Sequence, residues 1–269
     1  MENMTKEQLI ATFGDVIATQ MWEQMQAGKG GSGAPFTFVK KISTPVSDLG
    51  SFGDFVINSK YEKDAKGTKT LVDKGINLGT EFDVVFVSVG YRYTQWDEAS
   101  QRTLSSNAMT DLGSLKTAVN AYTGVPLPTS KEDKKAAGWK LNKVCGILVR
   151  KDKKSDWSPA IWELSGKMFF TLNNIVGSGG LLDGIYSMRF ATETKGSTMF
   201  TVIDEEKSTN LGLPALQKLF TDKTVTDLMG EVSTKMAEYR ASQQFAGADT
   251  GSSANSSVEA PVDSDGADW

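Results

Sequence analysis

Glu81-Phe82-Asp83-Val84-Val85-Phe86-Val87-Ser88-Val89-Gly90-Tyr91-Arg92-Tyr93 is the strongest strand signal in this 269-residue chain. Strand side chains alternate between two faces, so Val85, Val87, Val89, Tyr91 and Tyr93 are assigned to one side. The other side receives Phe82, Val84 and Phe86, then Ser88, Gly90 and Arg92. A strand that is apolar on both faces at its start must be covered twice. The small and polar residues nearer its end predict a face open to solvent there.

Shorter strand signals precede it at Phe36 to Val39 and at Phe52 to Ile57. Residues 94–142 follow, with turn signals at Gly113, Gly124, Pro126 and Pro128, and read as a long irregular insertion. Structure resumes at Lys143 to Lys151, where Cys145, Ile147 and Val149 alternate with Gly146, Leu148 and Arg150. A strand at Pro159 to Leu164 and a helix at Gly166 to Val176 come next. Ile185 to Thr192 turns Tyr186, Met188 and Phe190 inward, and Thr198 to Ile203 does the same with Phe200 and Val202. Three strands, a short helix and two strands is the order of an OB-fold, a five-stranded barrel that binds oligonucleotides. The expected class is therefore mainly β with flanking helices (α+β), with an elaborated OB-like barrel over 36–212 and its insertion at about 94–142.

Helical segments flank that barrel. Thr5-Lys6-Glu7-Gln8 has the form of a capping box, and Leu9, Phe13, Val16, Ile17, Met21 and Met25 recur at helical spacing, so a helix is expected to about Ala27. With the Gly28 to Gly33 linker it makes an N-terminal segment, 1–35. Pro214 opens a second helical region, 213–245, and the Gly, Ser, Asn and Ala content of 246–269 predicts a disordered tail.

Composition narrows the chemistry. The chain has no histidine and one cysteine, Cys145, which removes Ser-His and Cys-His nucleophile pairs and zinc sites of the usual kind. An internal disulfide is impossible, and a lone cysteine fits a reducing cytoplasm. No apolar run approaches the ~18 residues that cross a bilayer, and no secretory signal or membrane association is expected. Gly28, Gly30 and Gly33 have dinucleotide-loop spacing, but they follow a helix and precede a strand, the reverse of what that loop requires. Gly166-Lys167 lacks the rest of a phosphate loop. Asp204-Glu205-Glu206 reads as a solvated turn, although Asp83, Asp204 and Glu206 leave a magnesium-dependent nuclease or related DNA-processing enzyme as one alternative. A virion structural or scaffolding protein is another. No catalytic residue, metal or cofactor is expected.

The positive signal is electrostatic. Between Lys131 and Lys154 nine cations face three acids, interleaved with Trp139 and followed by Trp157 and Trp162. Cationic grooves hold the phosphates of single-stranded nucleic acid, and aromatic rings stack on its bases. The expected phosphate contacts are Lys140, Lys143, Arg150, Lys151, Lys153, Lys154 and Lys167, with Arg92 and Arg189 as clamps or platforms. Tyr91, Tyr93, Trp139 and Trp157 are the expected stacking rings, the two tryptophans standing open between stacking and packing.

The other sign of charge sits at the end of the chain. From Ala241 onward there is no Lys or Arg, and the acids are Asp249, Glu259, Asp263, Asp265 and Asp268, before a final Trp269. Such a tail can occupy a cationic groove by intramolecular competition, or dock its carboxylates and one aromatic in a partner's pocket. Asp263, Asp265, Asp268 and Trp269 are the partner-binding candidates.

Cys145-Gly146-Ile147-Leu148-Val149-Arg150 through Pro159-Ala160-Ile161-Trp162-Glu163-Leu164-Ser165-Gly166-Lys167 resembles the barrel core of single-stranded-DNA-binding proteins of tailed bacteriophages. The acidic, aromatic-ended tail is similar to the tails of phage and bacterial replicative single-strand binders. The resemblance covers Glu81 to Ile203 loosely, and Asp263 to Trp269. It implies a non-enzymatic protein coating single-stranded DNA in phage replication and recombination, in the cytoplasm of an infected bacterium. The tail would recruit a polymerase, a helicase or primase, and recombination enzymes, with self-association left open. Bacterial tails of this kind usually end in Pro-Phe, whereas Ala267-Asp268-Trp269 ends this chain, which weighs against docking to host partners.

Overall fold

The computed structural model describes residues 6–15, 18–19, 37–43, 45, 49–57, 60–63, 69–73, 75–100, 102–176 and 181–242. The described strands are β1 (Phe38–Lys41), β2 (Phe55–Ile57), β3 (Lys60–Lys63), β4 (Lys69–Asp73), β5 (Ile76–Gly79), β6 (Glu81–Asp97), β7 (Arg102–Ser105), β8 (Lys140–Arg150), β9 (Ser158–Ser165), β10 (Tyr186–Lys195), β11 (Thr198–Ile203) and β12 (Thr209–Asn210). The helices are α1 (Lys6–Phe13), α2 (Lys131–Ala136), α3 (Gly166–Val176), α4 (Gly212–Leu219) and α5 (Lys223–Ser242).

Ten strands make one curled, open sheet, a half-barrel ordered β11-β10-β6-β8-β9-β1-β2-β5, with β7 on β6 and β12 on β10. Among the described strands of this sheet only the pair β1 and β9 is parallel. β5 passes into β6 through Thr80 alone, which draws the far edge of the sheet back toward its middle. The rings show the result: Phe55 of β2 lies 4.3 Å from Phe190 of β10, and Phe190 stacks 5.1 Å from Phe82 of β6. Trp162 of β9 closes the group, 5.7 Å from Phe82.

This hollow holds one core cluster, with Val84, Phe86, Cys145, Ile147, Met188 and the apolar stripe of α3: Met168, Leu172 and Val176. A second cluster lies on the outer face, where Val85, Val87, Val144, Leu148 and Ile161 meet α1, α4 and α5. α1 belongs to this body, since Leu9 and Phe13 pack with Leu216 and Phe220, and Gln217 donates 2.5 Å to the Thr12 carbonyl. The start of the expected N-terminal helix is thus described, while its Thr5 cap, its continuation past residue 19 to Ala27, the Gly28 to Gly33 linker and the tail lie outside the described residues.

Two expectations are corrected. Phe86 pairs with Ile147 and Ser88 with Gly146, so Val87 is an extra residue that shifts the register. A bulge of this kind reverses which side each later side chain takes. Val89 therefore joins the inner cluster with Phe86, and Tyr91 follows it, edge-on to Phe169 of α3 at 6.3 Å. Ser88, Gly90 and Arg92 fall on the outer face, and that face is not open to solvent. α5 crosses it, and a Cβ on Gly146 would lie 2.4 Å from Met236 and 2.8 Å from Val232. The small residues mark a helix seat.

Residues 94–142 are likewise more ordered than an irregular insertion. β6 continues to Asp97, β7 returns along it, and α2 leads into β8, which already begins at Lys140. Ser130 caps α2 by accepting the Asp133 amide at 2.9 Å, the usual device for an exposed helix N-terminus. β11 differs in detail, since Val202 is buried as expected but Phe200 is half-exposed.

Candidate nucleic-acid interface

The expected contacts do not form one tract. β8 has eleven residues, so its ends stand about 33 Å apart. Lys140 lies at one end, with Tyr91, Tyr93 and Trp139 nearby; Arg150 and the Lys151 to Lys154 loop lie at the other.

At the Arg150 end most of the charge is answered. Arg150 donates twice to Asp83, at 2.8 and 3.0 Å, and its guanidinium lies 4.5 Å over the Trp157 ring. Trp157 is buried and serves as the floor of that ion pair, not as a platform for bases. Arg189 pairs with Glu81. Lys151, Lys153 and Lys154 are exposed, and Asp152 organises their loop by accepting the Lys154 and Ser155 amides and the Ser155 hydroxyl. Those bonds hold the Asp152 carboxyl below its ordinary pKa. A shallow depression of about 410 Å³ lies here, lined by Lys151, Lys153 and Arg189 but also by Glu81, Asp83 and Asp152.

Two further cations are engaged elsewhere. Arg92 is buried under α5, in a two-pronged pair with Glu163 at 2.5 and 2.7 Å, 5.3 Å from the Tyr239 ring. Burial alone would lower its pKa; the charge and hydrogen bond of Glu163 outweigh burial and raise it. Arg92 is thus an interior residue, not a clamp for a ligand. Lys167, exposed at the start of α3, pairs with Glu193 at 2.6 Å.

The Lys140 end is different. Past the bulge, Tyr91 sits across from Lys143 and Tyr93 across from Leu141, so these four share the inner face. Tyr91, Tyr93, Leu141 and Trp139 are all half-exposed, and Phe170 of α3 is 49% exposed. Phe170 meets Phe169 edge-on at 5.0 Å, and Phe169 meets Tyr91, which carries a row of rings from α3 onto β6. α2 flanks the other side. Its Lys134 places Nζ 5.3 Å over the Tyr93 ring, Trp139 donates its amide to the Lys134 carbonyl, and Gln95 donates 2.5 Å to the Ala137 carbonyl.

Burial raises the pKa of both Tyr91 and Tyr93, so the rings are neutral at ordinary pH. Burial also lowers the pKa of Lys143, whose ammonium donates 2.8 Å to the Asn173 side-chain oxygen. Of the expected contacts, this end gathers Tyr91, Tyr93, Trp139, Lys140 and Lys143. Phe170 and Lys134 were missed: Phe170 reads as helix core, and Lys134 as one of several solvated lysines.

The acids considered for metal binding are also placed. Asp83 is held by Arg150 and Asp204 by Lys207, and no three Asp, Glu or Cys residues gather as a metal site among the described residues. Asp263, Asp265, Asp268 and Trp269 lie outside the described residues.

Compared with protein-family models, curated proteins and solved structures, the chain matches none of them.

Proposed function

We propose that this chain binds single-stranded DNA with little sequence preference, as an elaborated OB-type barrel of the kind that phage replication and recombination employ. The observation that carries this reading is the group of part-open rings at one end of the half-barrel: Phe170 and Tyr91, joined through Phe169, with Tyr93 two residues on along β6 and Trp139 just before β8. Each stacked base is worth ~1–3 kcal/mol, and every base offers a face to stack, so such a group favours unpaired strands without reading sequence. Strand connectivity supports it: β6, β8 and β9 run in series, α3 follows, and β10 returns antiparallel to β6 before pairing with β11. An OB-fold follows three strands with a helix and two more strands, and on this reading β7, β1, β2 and β5 are additions to that plan. The outer face of β8 and β9 lies under α5, so the proposed surface is the inner face near Tyr91.

The tail enters the same reading. α5 ends at Ser242, and in its last turns Tyr239 meets Arg92 while Arg240 donates to the Val89 carbonyl. The last described turn of α5 therefore lies on the outer face of the stretch of β6 whose inner face carries Tyr91 and Tyr93. An acidic segment tethered there would compete with DNA at high effective concentration and, once displaced, would offer Asp263, Asp265, Asp268 and Trp269 to replication proteins.

The test is direct binding of labelled oligothymidine and of duplex of equal length, at several salt concentrations. The expected result is quenching of tryptophan fluorescence by the single strand, preference over duplex, and affinity falling steeply with salt. No binding of single strands at low salt overturns the reading.

A further inference from the structure

Lysine is almost never fully buried without a partner of opposite charge. Lys134 and Lys143 are 4% and 5% exposed, and neither meets a carboxylate among the described residues. Their partners are neutral: the Thr129 carbonyl at 3.0 Å for Lys134, and the Asn173 side-chain oxygen at 2.8 Å for Lys143. Elsewhere the fold answers its shielded cations, giving Arg92 to Glu163, Arg150 to Asp83 and Lys235 to Glu231. The two exceptions flank the same pair of half-exposed rings, Lys143 opposite Tyr91 and Lys134 over Tyr93.

We propose that Lys134 and Lys143 form a phosphate-binding pair whose counter-ions are supplied by the phosphodiester backbone of a single strand lying over Tyr91 and Tyr93. The inference rests on the single-strand reading and deepens it by naming two cations of the footprint. A buried ammonium without an anion is held at a cost in the free protein, and a phosphate removes that cost on binding. The neutral oxygens of Thr129 and Asn173 hold each Nζ in place and leave its charge uncancelled. Selectivity then divides between two kinds of group. The rings accept unpaired bases, and the lysines accept the backbone between them.

The expectation is a trade between stability and binding, tested on the full chain with Lys134→Met, Lys143→Met and the double variant. Methionine keeps the apolar stem and removes the charge. In the absence of ligand the variants should melt no lower than the wild type, because a buried uncompensated charge has been removed. Binding of oligothymidine should weaken at least tenfold in the double variant, and its log–log salt dependence should flatten by about 1.4, at about 0.7 per phosphate contact. Lys134→Arg should restore most of the slope lost in Lys134→Met. An unchanged slope with binding intact overturns the proposal, and where the double variant does not fold, an unchanged slope in Lys134→Met alone overturns it. The single Lys134→Met variant, on the exposed helix α2, keeps the binding test available in that case. A third arm separates the two readings. If the wild type ignores oligonucleotides yet inorganic pyrophosphate raises its Tm, and that rise is lost in the double variant, the anion site stands and the single-strand reading falls.

Discussion

At one end of β8, Arg150 is met by Asp83 and laid over Trp157; toward the other, Lys143 is more deeply buried and meets only a neutral oxygen. The same strand thus carries a cation that completes the fold and a cation the fold leaves electrically unanswered. Charge density along the sequence does not separate them, because both belong to the run from Lys131 to Lys154. What separates them is the neighbouring strand. β6 offers Asp83 beside Arg150 and Tyr91 beside Lys143. A basic cluster therefore marks a site only after the acids brought beside it by sheet pairing have been counted.

The comparison is broken most strongly at the rings. Tyr91→Ala with Tyr93→Ala should weaken oligothymidine binding by about 1–3 kcal/mol per ring, roughly fivefold to 150-fold each. The fold should persist, since both side chains are only half-buried. Replacing Lys151, Lys153 and Lys154 together by Gln should act more weakly, and through the salt dependence alone. If the triple variant loses more affinity than the tyrosine pair, the Arg150 end is the true surface and the assignment of the two ends is reversed.

The Arg150 end should respond in stability. Asp83→Ala leaves the guanidinium shielded and without its carboxylate, a change that costs about 3–5 kcal/mol in such pairs. Denaturant unfolding should show this loss, while the folded fraction binds oligonucleotide with unchanged affinity. A loss of affinity without a loss of stability would place Asp83 at the binding surface instead.

The sequence makes the central strands legible for a physical reason: β6, β8, β9, β10 and β11 carry long apolar alternation, and α3 carries a clear 3.6-residue stripe. Short edge elements such as β5 and β12 have too few residues for a period to emerge. The bulge at Val87 is invisible as well, because an unbroken run of valines and phenylalanines reads identically with or without an extra residue. That one residue decides which face Tyr91 and Arg92 occupy, and so exchanges interior for interface. Arg92 reads as a ligand contact and Trp157 stays open between stacking and packing, because a sequence names a cation or a ring without naming its partner. Glu163 lies 71 positions from Arg92, and only the pairing of β8 with both β6 and β9 brings them together.

A smaller effect comes from pH. Burial depresses the pKa of Lys143, so its charged form is disfavoured in the free protein, and this penalty is relieved as pH rises through the depressed value. Phosphate binding needs the charged form, so affinity should fall over that same window while free-protein stability rises. Tyr91 and Tyr93 stay neutral through it, because burial moves their ionisation upward. Oligothymidine titrations across alkaline pH should show the decline in the wild type and not in Lys143→Met. A decline of equal size in that variant would assign it to other lysines.

The smallest effect is expected at Lys167, where the sequence pattern and the structure differ in emphasis. Its pair with Glu193 is short, yet the two side chains are 47% and 43% exposed, so water screens the attraction and Lys167→Ala should cost about 0–1 kcal/mol of stability. The position still tests the comparison, because Lys167 opens α3, whose next turn carries Phe170 at the edge of the ring row. A lysine already engaged by a carboxylate has less charge to lend to a phosphate than one that meets only a carbonyl. Lys167→Ala should therefore flatten the salt dependence by less than Lys134→Met does. Equal flattening would mean that Glu193 releases Lys167 when the strand arrives, and that proximity to the rings, more than freedom from acids, selects the cations that bind.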